Sequence, residues 1–157
     1  MHYSPDYTIS LPDGKKIPLL FKTKVFMNLG KIIGLEYEGL KDYFGEKMGI
    51  DAKYLPDALL QGAEWYALQA GQDFAYTKDD AYLWIDAMGG FYSQACADVV
   101  ATIVAAYFGK TKDEFLKLII EAAQKEAAPE KEVKKKNQSP GNGSTKAASR
   151  RASNRGK

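Results

Sequence analysis

The sequence predicts a mainly α-helical (α+β) protein, with an N-terminal β-hairpin, a bundle of about five or six helices and a disordered C-terminal tail. Three observations carry that prediction. Apolar and polar residues alternate on both sides of an Asp-Gly pair between residues 7 and 21. Apolar residues then recur at helical spacing, punctuated by glycines and helix-capping sequences, as far as Ala127. Beyond that the apolar pattern dissolves into Lys, Ser, Gly and Asn, which sets a helical domain over 1–128 and a basic tail over 129–157. Such a tail buries too little apolar surface to offset the entropy of ordering it.

The hairpin is the clearest element. Tyr7, Ile9 and Leu11 share one face of the first strand, and Ile17, Leu19 and Phe21 match them on the second. Asp13-Gly14 supplies the positive φ that a tight turn needs. Pro18 cannot donate a ladder hydrogen bond, so its strand is an edge or is paired on one side.

Thr23 is placed to cap a helix carrying Val25, Phe26, Leu29, Ile32 and Ile33, which Gly34 stops. A weaker pattern follows, with Leu40, Tyr43, Phe44 and Met48 on one side. Gly39, Gly45 and Gly49 each cost that segment about 1 kcal/mol relative to alanine. Pro56-Asp57 opens a helix whose stripe is Leu59, Leu60, Ala63, Tyr66, Ala67 and Ala70, ending near Gly71. Thr77 to Asp80 reads as a capping box for a helix with Tyr82, Leu83, Ile85, Ala87 and Met88 as its apolar residues. Phe91 to Phe108 is apolar most of the way round and is expected to form the central helix, with Gly109 as its stop. A second box, Thr111 to Glu114, opens a last helix through Phe115, Leu116, Leu118, Ile119 and Ala122.

Charge is distributed unevenly. Residues 1–128 hold thirteen Lys/Arg against eighteen Asp/Glu, about −5, whereas residues 129–157 hold nine against two, about +7. An acidic body does not offer the clustered cations that duplex phosphates require. The most apolar stretch, Ala95 to Phe108, is shorter than the roughly 20 residues that span a bilayer, and it contains Asp98. The first ten residues lack the basic start and apolar run of a secretory signal. A cytoplasmic protein without membrane contact is expected.

The residue types that catalysis and metal binding need are scarce. The one histidine is His2 and the one cysteine is Cys96, which lies between alanines in the most apolar segment and is expected to be a buried thiol. No Ser-His or Cys-His pairing, no His/Cys cluster and no phosphate-loop spacing is present. Asp79 and Asp80 sit where a helix dipole favours negative charge, and Asp98 is expected to face solvent. The reading is therefore not an enzyme, with no catalytic residue, no cofactor and no metal. Trp65 and Trp84 fall off the apolar stripes of their helices, next to Tyr66 and near Tyr82. They either pack against a neighbouring helix or join a partner-binding surface, so the candidate partner-binding residues are Trp65, Tyr66, Tyr82 and Trp84.

The order of elements adds a resemblance. A hairpin YTISLPDGKKIPLLF leads into FKTKVFMNLGKIIG, then LPDALLQGAEWYALQAGQ, then the polar link and helix DFAYTKDDAYLWIDAMGG, then an apolar helix. The link from Gly71 to Asp80, followed by Leu83-Trp84-Ile85-Asp86, completes the pattern. From Tyr7 to Phe108 the chain resembles the tail assembly chaperones of long-tailed bacteriophages. That resemblance implies a non-enzymatic role in virion morphogenesis. Such a protein coats the tape-measure protein, keeps its long helices soluble and recruits tail-tube subunits as the tube polymerises, and self-association belongs to the same expectation. Many such chaperones are made in two lengths by ribosomal frameshifting. The chain would be the short form, with Lys134-Lys135-Lys136-Asn137 near the point of divergence. The alternative is a small nucleic-acid-associated protein using its basic arm, or another structural protein of a phage or mobile element. The arm has no aromatic residue to stack on bases, so only weak, non-specific nucleic-acid contact is expected of it.

Overall fold

The structure is a computed structural model that describes the backbone of residues 4–138 and the side chains of 4–125. It begins with the expected hairpin. Strands β1 (Tyr7–Ser10) and β2 (Lys16–Leu19) pair antiparallel, with Tyr7 opposite Leu19 and Ile9 opposite Ile17. The Leu11 N–H donates to the Lys15 carbonyl and the Gly14 N–H to the Leu11 carbonyl, with Gly14 at φ 89°. That is a three-residue loop with glycine in the left-handed position. Ile9, Ile17 and Leu19 are buried on the shared face, and Pro18 sits in a strand paired on one side.

A two-stranded hairpin needs a further surface to be stable, and here a helix supplies it. The helices are α1 (Thr23–Ile33), α2 (Gly39–Lys47), α3 (Leu55–Ala70), α4 (Lys78–Ala87), α5 (Gln94–Tyr107) and α6 (Lys112–Gln138), with a single 3₁₀ turn at Ala52–Tyr54. Helix α3 packs against β2, α1 and α4 and so occupies the middle. The predicted central helix, α5, buries Cys96, Val99, Thr102 and Ile103 but leaves Gln94 and Ala97 exposed. The hub is α3 because its small residues Ala58, Gly62, Ala63 and Ala67 admit neighbours on several sides. The Leu20 N–H donates to the Gly62 carbonyl at 3.1 Å, joining the end of β2 to the middle of α3.

Helix starts and stops follow local chemistry, with three corrections. Thr77 and Asp80 form the reciprocal capping box, and Thr111 and Glu114 exchange the same pair of bonds. Gly34, Gly71 and Gly109 all take the left-handed conformation at the ends of α1, α3 and α5. Thr23, however, is the first helical residue of α1; Lys22 holds the cap position with no side-chain bond. Helix α5 starts at Gln94 and not at Phe91, because the Ser93 hydroxyl accepts from the Cys96 N–H and Gly89 and Gly90 both have positive φ. Third, the buried face of α4 is Ala81, Trp84 and Ile85, while Tyr82 and Leu83 are exposed. In α1 and α2, Ile32 and Met48 are likewise exposed, and Val25, Phe26, Leu29, Leu40 and Phe44 form the buried side.

The described chain divides into two compact units, the first ending at Phe115 and the second beginning at Leu116. Within the second, α6 runs on to Gln138, eleven residues beyond Ala127. The Glu- and Lys-rich stretch there has good helix formers but no apolar periodicity to announce them. The rest of the basic tail, from residue 139, lies outside the described residues.

Candidate partner-binding site

Along α3, residues Gln61, Glu64, Trp65 and Leu68 lie at helical spacing on one face, away from the small residues of the core side. Across from them α1 presents Lys24, Val25 and Asn28. The Asn28 amide donates to Gln61 Oε1 at 2.9 Å and ties the two helices together. The link that follows α3 returns over this face, so Gln72, Asp73 and Phe74 close one end. The result is a groove of 430 Å³ with Val25, Trp65, Leu68 and Phe74 as its apolar lining. Leu68, in the last turn of α3, is 64% exposed, and Trp65 is half-buried. Lys24, Glu64 and Asp73 supply the charge at the rim.

The link itself is held by aromatic contacts. Phe74 meets the ring of Tyr76 edge-on at 5.5 Å, and Tyr76 meets Trp84 edge-on at 5.1 Å. Lys15 Nζ lies 4.9 Å from the Tyr76 ring centroid, joining the hairpin turn to the same cluster. Tyr66 lies on the other side of Phe74, lining a smaller hollow of 120 Å³ with Ile17, Pro18, Ala63 and Tyr76.

The four expected partner-binding residues therefore separate. Trp65 lines the groove, and Tyr66 lines the adjoining hollow behind the link. Trp84 is 3% exposed and belongs to the core, where it supports Tyr76; it is not a surface residue. Tyr82 is 47% exposed on the outer face of α4 and lines neither hollow. Leu68 and Phe74 were not singled out by sequence reasoning. Their signals were there, an aliphatic residue outside the α3 stripe and two aromatics, Phe74 and Tyr76, inside an otherwise polar link.

Several polar groups elsewhere are engaged within the fold. A larger hollow of 580 Å³ lies at the starts of α1 and α6. Among its lining groups the Asp6 carboxylate accepts from the Phe21 N–H, Glu114 accepts from the Thr111 N–H, and the Thr102 hydroxyl donates to the Asp98 carbonyl. Asp98, expected to face solvent, is one-third exposed, accepts from Gln94 and stands 3.9 Å from Lys112 Nζ. Cys96 is fully buried, and that burial pushes its thiol pKa up, which disfavours the thiolate. Among the described residues no three His, Cys, Asp or Glu side chains gather as a metal site requires, and no helix is long and apolar enough to cross a membrane.

No family model, curated protein or solved structure matches the chain. The functional reading therefore rests on the groove and on the order of elements.

Proposed function

We propose that this protein is a tail assembly chaperone of a long-tailed phage, which holds apolar helical segments of the tape-measure protein and brings tail-tube subunits to them. The observation that carries the proposal is the groove between α1 and α3. It has an apolar floor of Val25, Trp65, Leu68 and Phe74 and a polar rim, and it is open to solvent. Recognition of an amphipathic helix uses apolar anchors at i, i+3 or i+4 and i+7, laid into a hydrophobic groove whose edges are polar. Tryptophan, with tyrosine and arginine, is enriched among the residues that dominate such contacts. The element order from Tyr7 to Phe108, which resembles that of the tail assembly chaperones, supports the same reading and supplies the client. The tape-measure protein is long, helical and poorly soluble before the tube surrounds it.

The test is co-purification of the full chain with tape-measure fragments and with tail-tube protein from the same genome. Capture by the wild-type chain and its loss with Leu68→Glu, a surface change that leaves the core intact, is the expected outcome. Capture of neither product, or equal capture by both chains, contradicts the proposal.

A further inference from the structure

Two hollows share one wall. The groove of 430 Å³ and the hollow of 120 Å³ beside it are both lined by Gln72, Asp73 and Phe74, so this short piece of the link separates them. Its ends are fixed. The Gln72 N–H donates to the Ala67 carbonyl at 2.8 Å, and the Thr77 N–H donates to Asp80 Oδ2 at 2.8 Å. Between those points, residues 73–76 enter no backbone–backbone hydrogen bond among the described residues. Side chains hold the segment instead. Tyr76 is packed on Trp84 and lies under Lys15, whereas Phe74 has Tyr76 as its one aromatic partner among the described residues. With Asp73 and Ala75 exposed and few bonds to the fold, this stretch belongs to the part of a structure that opens most cheaply.

We propose that Phe74 is a movable end wall of the groove, which swings into the hollow beside Tyr66 when a helix is received. The hollow suits a phenyl ring. Ile17, Pro18, Ala63 and Ala67 give it apolar walls, and Tyr66 and Tyr76 offer ring faces. An apolar cavity of about 150 Å³ takes a benzene molecule. The 120 Å³ here is close to that, and it widens as Phe74 turns away from the wall it now forms. Val25, Trp65 and Leu68 remain as the floor of the groove. Withdrawal of the ring lets a helix run past the end that Phe74 closes, so helices of differing length and anchor size share one groove. The inference rests on the groove being a helix-binding site, as proposed above, and adds what sets its length. A client that binds the open form alone draws the wall open, by its differential affinity for the two forms.

Tyr66 separates a movable wall from a rigid groove, because it lines the hollow and not the groove. Tyr66→Trp fills the hollow and should weaken binding of tape-measure fragments about threefold or more, while Phe74→Ala removes the wall and should strengthen it by a similar factor. Both variants should keep the wild-type circular dichroism. Phe74→Ala that weakens binding as Trp65→Ala does marks a fixed anchor and overturns the proposal. So does binding that Tyr66→Trp leaves unchanged. The movement is also read without a client. With 4-fluorophenylalanine at position 74 of the full chain, the fluorine signal should show exchange between two environments, and Tyr66→Trp should abolish that exchange. A single sharp signal without exchange overturns the proposal whatever the client does. Exchange that Tyr66→Trp quenches, in a chain that captures no tape-measure fragment, removes the client and keeps the movable wall. Groove-dependent capture without exchange removes only the present inference.

Discussion

The ring of Phe21 fills the space where any residue larger than glycine at position 62 would put its side chain, since a Cβ there would lie 2.6 Å from Phe21 Cε1. Phe21 cannot withdraw cheaply. It is 1% exposed, its N–H donates to Asp6, and the neighbouring Leu20 N–H donates to the Gly62 carbonyl. Gly62 thus lets the end of β2 lie directly on α3, at the expense of helix propensity.

Gly62→Ala is accordingly predicted to destabilise the protein. Alanine recovers about 1 kcal/mol of helix propensity, but overpacking a closed contact costs about 1–3 kcal/mol. Gly45→Ala is the control: it lies within α2, and an added Cβ meets nothing within 4 Å. It should stabilise by up to about 1 kcal/mol. Urea denaturation of the two variants is expected to give shifts of opposite sign.

Trp84 and Tyr82, two residues apart on α4, should behave as core and surface. Trp84→Ala removes a buried indole that supports Tyr76, and a loss of about 3–5 kcal/mol is expected. Tyr82→Ala should stay within about 0.5 kcal/mol of wild type. Chemical denaturation distinguishes these outcomes, and similar losses at both positions would contradict the assigned face of α4.

On that face the sequence was partly legible. Residues 81 to 88 are nearly all apolar, which hides the face, yet Ala81, Trp84, Ile85 and Met88 hold the i, i+3, i+4, i+7 spacing of a helical stripe. The buried side follows that spacing, with Tyr76 from the polar link packed on Trp84. The hairpin and both capping boxes were legible because their signals are local and their chemistry leaves few options. The same holds for the glycine stops after α1, α3 and α5. The role of α3 as hub was hidden because small residues mark close approach without the high hydrophobicity of α5. Of the candidate site, Trp65 was legible as an off-stripe tryptophan. Leu68 and Phe74 needed the fold, since α1 and the link reach them from distant parts of the chain.

Tyr43 and Asp51 give a prediction in pH. The Tyr43 hydroxyl donates to Asp51 Oδ2 at 2.9 Å and accepts from the Asp51 N–H at 3.0 Å. Burial pushes the Tyr43 phenol up to about 12, above its ordinary 10.0; the Asp51 N–H opposes that rise and the Asp51 carboxylate adds to it. The folded value is raised, so this contribution is complete below pH 10 and is lost as the pH climbs through 12. Asp51 is shifted the other way. The Tyr43 hydrogen bond, and then Lys47, hold its carboxyl below the ordinary carboxylate value. Its contribution is present above that value and is lost as the pH falls through the folded one. Tyr43→Phe should therefore flatten the alkaline limb of stability and also soften the acid limb, read from urea midpoints across pH.

If the groove at Trp65 receives apolar helices, calorimetric titration of the full chain with tape-measure fragments will show it. Saturable binding to the wild-type chain is expected, weakened about tenfold or more by Trp65→Ala and unchanged by Tyr82→Ala. Binding that ignores Trp65, or no binding by the wild-type chain, would contradict it.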